Sequence, residues 1–254
     1  MKGLIYINVL YDCLYIWLLN ESVMENMLRF TGCTLSMHQC RCFEKLTGEE
    51  HDFLDASSVL IKYKRGEMIC KQGSFVSHVM YMEKGLAKVF LENGLNTLVL
   101  RIIPDGNFLG LAAVSEELGT FPYSGMAYVD SEIRQVDIKA FRQLLRQNTE
   151  FAKEVIDILS SNSVQIYGRF FCLTYKQAFG RLADILICLA DRIFRNTEFD
   201  LPLTRKELGE LAGMSPETVI RMLKEFNDEG LIRMEGKYLE VIDYERLKKI
   251  SETG

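Results

Sequence analysis

The stretch from Thr204 to Phe226, "TRKELGELAGMSPETVIRMLKEF", leaves a chain few structures to choose from. Thr204 followed three residues later by Glu207 is a capping box, in which hydroxyl and carboxylate satisfy backbone donors reciprocally. Leu208, Leu211 and Ala212 then recur at helical spacing, and Gly213 suits the left-handed conformation that ends a helix. Ser215 is a good N-cap, and Pro216 fits the first helical position, where no N–H is needed. Val219, Met222, Leu223 and Phe226 give the second helix one apolar stripe, leaving Glu217, Thr218, Arg221 and Lys224 outside it. Two capped helices joined by a short glycine turn form a helix-turn-helix pattern. Taken alone, Glu217 and Arg221 could equally be an i,i+4 surface ion pair. The downstream residues favour the pattern: Asn227 to Gly230, "LIRM", Glu235-Gly236 and "KYLEVI" read as helix end, strand, turn and strand, the hairpin of a winged helix-turn-helix.

Charge does not assist this pattern. The chain has 254 residues and a formal net charge of −5. Residues 201–254 hold nine Lys/Arg against eleven Asp/Glu, so any nucleic-acid contact rests on a few placed cations rather than a basic surface. Arg205, Lys206, Arg221, Lys224, Arg233 and Lys237 are the candidates.

Upstream, Val59 to about Phe141 is β-rich, with short alternating runs broken at Arg65-Gly66, Gln72-Gly73, near Gly85 and at Asn93-Gly94. This spacing predicts a small antiparallel barrel or roll. From Asn148 to about Phe171 one long helix is expected. Val155, Leu159, Asn162 and Ile166 recur along it, and Ile156, Leu159, Ser163, Ile166 and Phe170 form a shifted alternative. Either stripe has the form of a dimerising seam with one polar position. The fold class is therefore α+β: an N-terminal antiparallel barrel, a long helix and a C-terminal winged helix-turn-helix.

The first twenty residues are strongly apolar, yet Asn8 and Asp12 interrupt them and no small-residue cleavage site follows. They are read as an interfacial or membrane segment, an extra packed helix, or upstream sequence from a mis-assigned start, with Met24, Met27 and Met37 as other starts. Seven cysteines at irregular spacing suit reduced thiols and a cytoplasmic protein. With three histidines, no Gly-rich phosphate loop, no HExxH and no nucleophile motif, an enzyme is not expected.

Three stretches are similar to the Crp/Fnr family of bacterial transcription regulators: "YKRGEMICKQGSFVSHVMYMEKGLAKVF", "FGRLADILICLAD" and "LPLTRKELGELAGMSPETVIRMLKEFNDEGLI". The resemblance covers about residues 40 to 250. It implies an N-terminal extension (1–35), a cyclic-nucleotide-binding-like sensor domain (36–147), a dimerisation helix (148–172) and a DNA-binding domain (173–254). It further implies a homodimer on palindromic double-stranded DNA and a contact with RNA polymerase. The family's base-reading Glu and Arg match Glu217 and Arg221. Ile220 stands where a small or hydroxyl residue is usual and offers a thymine methyl contact. Thr204, Arg205, Ser215 and Thr218 are the expected phosphate contacts, since hydroxyls and helix N-termini suit that task.

For the sensor, the resemblance places the effector pocket at Gly110, Leu111, Tyr123, Ser124, Ile166 and Tyr167. The Glu and Arg that cradle a cyclic nucleotide's phosphate are replaced by Leu111 and Tyr123, so cyclic AMP is not the expected ligand. Cys33, Cys40 and Cys42, with barrel Cys70, are candidate metal or iron–sulfur ligands, although C-x6-C-x-C is not the oxygen-sensing branch's spacing. A haem held by His78 or Met80 is a third option. The competing function is a ligand- or redox-sensing protein with a non-DNA output, held at a membrane by residues 1–20.

Overall fold

The computed structural model describes residues 35, 40–94 and 96–254. The readings placed on residues 1–34, Cys33 among them, lie outside the described residues. No described helix is long and apolar enough to cross a membrane.

After a 3-10 turn at Cys42–Lys45, the first described α-helix, α1 (Gly48–Ala56), opens on a capping box between Thr47 and Glu50. Eight strands follow: β1 (Ser58–Tyr63), β2 (Met68–Cys70), β3 (His78–Lys84), β4 (Leu86–Asn93), β5 (Asn96–Pro104), β6 (Phe108–Leu109), β7 (Ser124–Ala127) and β8 (Ser131–Asp137). They build two four-stranded antiparallel sheets, ordered β1-β8-β3-β6 and β2-β7-β4-β5. The period-2 alternation of the strands turns one row of each sheet inward. Ile69, Met80, Met82, Val89, Ile103, Leu109 and Ile133 fill the space between. The expected barrel is therefore present.

Asn148 ends α2 (Ile138–Gln147) and starts α3 (Thr149–Tyr175). Its Oδ1 accepts from the Phe151 N–H at 2.9 Å, while its Nδ2 donates to Lys45 O and Glu50 Oε2. The 27 residues of α3 make a rod about 40 Å long, which runs four residues past the end at Phe171 that the sequence suggested. One side buries Phe151, Val155 and Cys172. Ile156, Ile166, Tyr167 and Phe170 are exposed, at 60%, 45%, 64% and 68%. Of the two candidate stripes, the one through Val155 and Asn162 therefore meets the barrel, and the one through Ile156 and Phe170 is left uncovered.

The chain continues through α4 (Ala178–Cys188), a π-helical turn at Leu189–Phe194, and β9 (Glu198–Asp200). Then come α5 (Arg205–Ala212), α6 (Pro216–Asp228), β10 (Ile232–Glu235), β11 (Tyr238–Val241) and α7 (Tyr244–Thr253). β9 adds a third strand to the expected hairpin, in the order β10-β11-β9. Leu182, Leu186, Leu208, Leu211, Val219, Phe226 and Leu239 form its core, and this core is continuous with Phe90, Val99 and Ile102 of β4 and β5. At the joint between α3 and α4, Lys176 Nζ sits 2.6 Å from both Asp184 Oδ2 and Ser251 O, tying three helices together.

Candidate nucleic-acid interface

Local chemistry dictates how α6 is presented. Thr204 and Glu207 form the full capping box at the start of α5, and Gly213 ends that helix at φ +63°. A side chain at Gly209 would place its Cβ 2.6 Å from the Met214 carbonyl, so the two helices approach closely only through glycine. Ser215 Oγ accepts from the Thr218 N–H at 3.2 Å, and Pro216 occupies the first turn. Val219, Met222, Leu223 and Phe226 are buried beneath α6, which fixes the rotation of the helix about its axis.

That rotation leaves Glu217, Ile220, Arg221 and Lys224 exposed. Glu217 lies in the first turn, where its own backbone N–H and the Ser215 hydroxyl hold its carboxyl below the usual carboxylate range. It is thus an acceptor at neutral pH, suited to the exocyclic amine of cytosine. Arg221, one turn on, touches only Glu225 at 3.4 Å, an exposed pair that water screens and that gives way easily. Ile220 is 55% exposed, an unusual position for isoleucine unless an apolar partner arrives.

The four expected phosphate contacts fall into different situations. Thr204 and Ser215 are exposed but already serve as helix caps, and Thr218 Oγ1 lies 3.2 Å from Ser215 Oγ. Arg205 is half-buried against the hairpin, its Nη2 2.8 Å from Met234 Sδ. It shares one shallow surface depression with Ile220, Lys224 and Asn227. Asn227 Oδ1 accepts from the Met234 N–H at 3.0 Å and thereby ties the hairpin to α6.

The structure does not gather the six expected effector residues into one site of a single chain. Gly110 and Tyr123 do meet: the Gly110 N–H donates to Tyr123 Oη at 2.8 Å. Leu111 is buried in a different apolar cluster, with Phe108 and Phe141. Ser124 Oγ instead accepts from the Gln72 N–H and donates to Glu92 Oε2. Ile166 and Tyr167 lie on the uncovered side of α3. From α3, Asn162 does reach the barrel: its Oδ1 accepts from Arg101 Nη1. Arg101 is only 7% exposed, and burial lowers its pKa. Among the described residues it has no carboxylate partner. Sequence reading missed it because a lone Arg in a β-run carries no local signal.

Sequence reading also missed the polar contacts between the barrel and α5. Arg65 Nη2 reaches the Glu207 carboxylate at 2.7 Å, and Lys88 Nζ reaches Glu210 at 2.7 Å. Arg169 donates to the carbonyls of Val99 and Leu211. Only the fold brings together partners this far apart in the chain.

Donor sets for a metal or haem are also separated. Cys70 lies in the core between the sheets, away from Cys40 and Cys42, which belong to the cluster around Phe108 and Phe151. No three His, Cys, Asp or Glu side chains gather to hold a metal among the described residues. Cys70 is thus not a co-ligand of Cys40 and Cys42. The Cys42 thiol and backbone N–H face Cys40 Sγ, which holds the Cys40 thiol below its usual pKa and pushes that of Cys42 far up. His78 Nδ1 is 2.8 Å from Ser77 Oγ, and Met80 is part of the barrel core.

Comparison with known proteins matches residues 60–148 to the cyclic nucleotide-binding domain family and residues 180–250 to the Crp-like helix-turn-helix domain family. The transcriptional activator Anr of Pseudomonas aeruginosa is 26% identical over 78% of this chain and 83% of its own length. The cAMP-activated global regulator CRP of Escherichia coli is 29% identical over 71% of this chain and 88% of its own. In fold, the chain is similar to FixK2 of Bradyrhizobium japonicum at 18% identity, with a TM-score of 0.70 over 76% of this chain and 96% of that one. A CooA mutant of Carboxydothermus hydrogenoformans gives a TM-score of 0.68 at 18% identity, over 85% of this chain and 97% of that one. With barrel, long helix and winged helix-turn-helix in the same order, the chain belongs to the Crp/Fnr family of DNA-binding transcription regulators.

Proposed function

We propose that the protein acts as a homodimer that reads a two-fold symmetric operator, with the α6 helix of each copy in a major groove. Glu217 and Arg221 are the base readers. Arg221 donates two bonds to guanine O6 and N7, Glu217 accepts from cytosine N4, and Ile220 touches a thymine methyl. Thr204, Arg205, Ser215 and Thr218 hold the flanking phosphates. The observation that carries this reading is the rotation of α6, which buries Val219, Met222, Leu223 and Phe226 and leaves Glu217, Ile220 and Arg221 as one exposed strip. Dimerisation is supported by the uncovered apolar side of α3, where Ile156, Tyr167 and Phe170 face solvent in a single chain.

The barrel senses a signal other than cyclic AMP. Leu111 and Tyr123 supply no charge for a phosphate, and the Gly110 N–H is already committed to the Tyr123 hydroxyl. The signal acts at the junction of barrel and α3, where Arg101 meets Asn162, and shifts the orientation of the two reading helices. The place of action is the cytoplasm, with RNA polymerase as the downstream partner. A gel-shift selection from random duplexes tests the reading. It should recover a palindrome whose half-sites lie about 34–36 Å apart, one helical turn. Recovery of no symmetric site, across the effectors tried, would sink it.

A further inference from the structure

Two cysteines at the start of the first described turn, Cys40 just before it and Cys42 at its first position, lie apart from the exposed strip of α6. We propose that Cys40 and Cys42 form a reversible intramolecular disulfide on reaction with a hydroperoxide. Both are free thiols, and their sulfurs lie 2.7 Å apart. A disulfide bond is about 2.05 Å long, so closure needs a movement of about 0.7 Å. The two thiols differ in access. Cys42 has no exposed surface, while Cys40 is half-buried and reachable by a small oxidant. The Cys42 N–H points at Cys40 Sγ at 3.1 Å, a donor placed to favour the nucleophilic thiolate on Cys40.

The surroundings keep the pair in register. The Cys40 N–H donates to Gly106 O at 2.8 Å, anchoring the strand side. Phe43, between the thiols and the rest of the turn Cys42–Lys45, packs on Tyr81, Phe108 and Phe151 at 4.8, 5.5 and 6.4 Å. The remaining described free thiols offer a contrast. Cys70 is buried in the barrel core, and Cys172 faces the Asp184 carboxylate at 3.3 Å. Among the described residues, neither has a second sulfur to resolve an oxidised form.

The chemistry is a two-electron oxidation. The Cys40 thiolate attacks the terminal peroxide oxygen, the O–O bond breaks, and the alkoxide leaves and takes up a proton. Cys42 then attacks the sulfenic sulfur, the S–O bond breaks, and the departing hydroxide leaves as water with the Cys42 proton. Dithiol and hydroperoxide become disulfide, alcohol and water, and a thiol reductant reverses the change.

Hydrogen peroxide on the reduced full chain is the probe, followed by alkylation of remaining thiols, tryptic digestion and mass spectrometry. Trypsin cuts after Arg41, so the fragments carrying Cys40 and Cys42 stay joined only if a bond links them. Because Cys33 shares the upstream fragment, the Cys33→Ser chain is run in parallel. Joined fragments are expected in the natural and Cys33→Ser chains, and separate ones in Cys40→Ser and Cys42→Ala. In Cys42→Ala, the sulfenic acid trapped by a 1,3-dione should sit on Cys40. Separate fragments in the peroxide-treated natural chain, or loss of the link in Cys33→Ser, overturns the proposal.

Discussion

Arg221 of α6 and Arg101 of β5 bear the same side chain in opposite circumstances. Arg221 is well hydrated, held only by an exposed carboxylate at 3.4 Å, and sits on a helix whose rotation is fixed by four buried apolar residues. Arg101 is 7% exposed and is answered by the neutral amide of Asn162 from a helix more than sixty positions away. The first cation can change partners at little cost, as a base reader must when DNA replaces water. The second carries a standing desolvation cost that no carboxylate among the described residues offsets. The comparison sets two kinds of arginine side by side: one on the open surface of α6, ready to take a new partner, and one at an interior contact between barrel and α3.

The joint between the two regions gives the largest expected effect. Lys176 pairs with Asp184 in near-complete burial, with side-chain exposures of 5% and 14%. Lys176→Met strands a carboxylate and should lower unfolding free energy by about 3–5 kcal/mol. Removing both charges, in Lys176→Met/Asp184→Asn, should recover most of that loss. Denaturant titration of both variants checks this, and equal losses would show that the pair contributes by packing rather than charge.

Arg221→Lys comes next and bears on the reading helix alone. The charge is kept but the planar fork is lost, so discrimination at one base pair should fall by about 1–3 kcal/mol per half-site. Affinity for random duplex should hardly change. Competition gel shifts against operators altered at single positions separate these two quantities. A uniform loss across all sequences would demote Arg221 to a phosphate contact.

Much of the reading helix was legible before the structure, because every device in it is local. Thr204 and Glu207 are three residues apart, Ser215 and Thr218 likewise, and the apolar stripe repeats within one helix. The barrel was legible as a fold for the same reason, from alternation and turns. Its working contacts were not. Arg65 with Glu207, Lys88 with Glu210 and Arg101 with Asn162 are separated by 142, 122 and 61 positions. No periodicity encodes such pairs. Ile166 and Tyr167, placed at the pocket by the family resemblance, lie on the uncovered side of α3 in a single chain, and which side of a helix meets a sheet depends on packing that spacing alone leaves open.

Arg101→Met tests whether the interior arginine is kept for a purpose. Methionine removes the uncompensated cation while filling similar volume, so stability should stay within about 1 kcal/mol of the natural chain or rise. Thermal melting gives the answer. A clear loss of stability would mean that Arg101 is an ordinary structural contact, and the contrast with Arg221 would collapse.

The smallest effect is expected at Ile220, where the reading strip is apolar. Its side chain is 55% exposed and has no hydrogen-bonding group, so on the proposed reading its contribution is burial against a thymine methyl. Ile220→Ala removes about three carbons from that contact, worth on the order of 1 kcal/mol with each CH₂ near 0.8 kcal/mol when fully buried. The loss should appear at one base pair per half-site and vanish when thymine there is replaced by uracil, which lacks the methyl. Operators carrying that replacement, measured with the natural and Ile220→Ala chains, close a double-mutant cycle. Additive losses would place Ile220 away from the methyl and confine base reading to the two charged residues beside it.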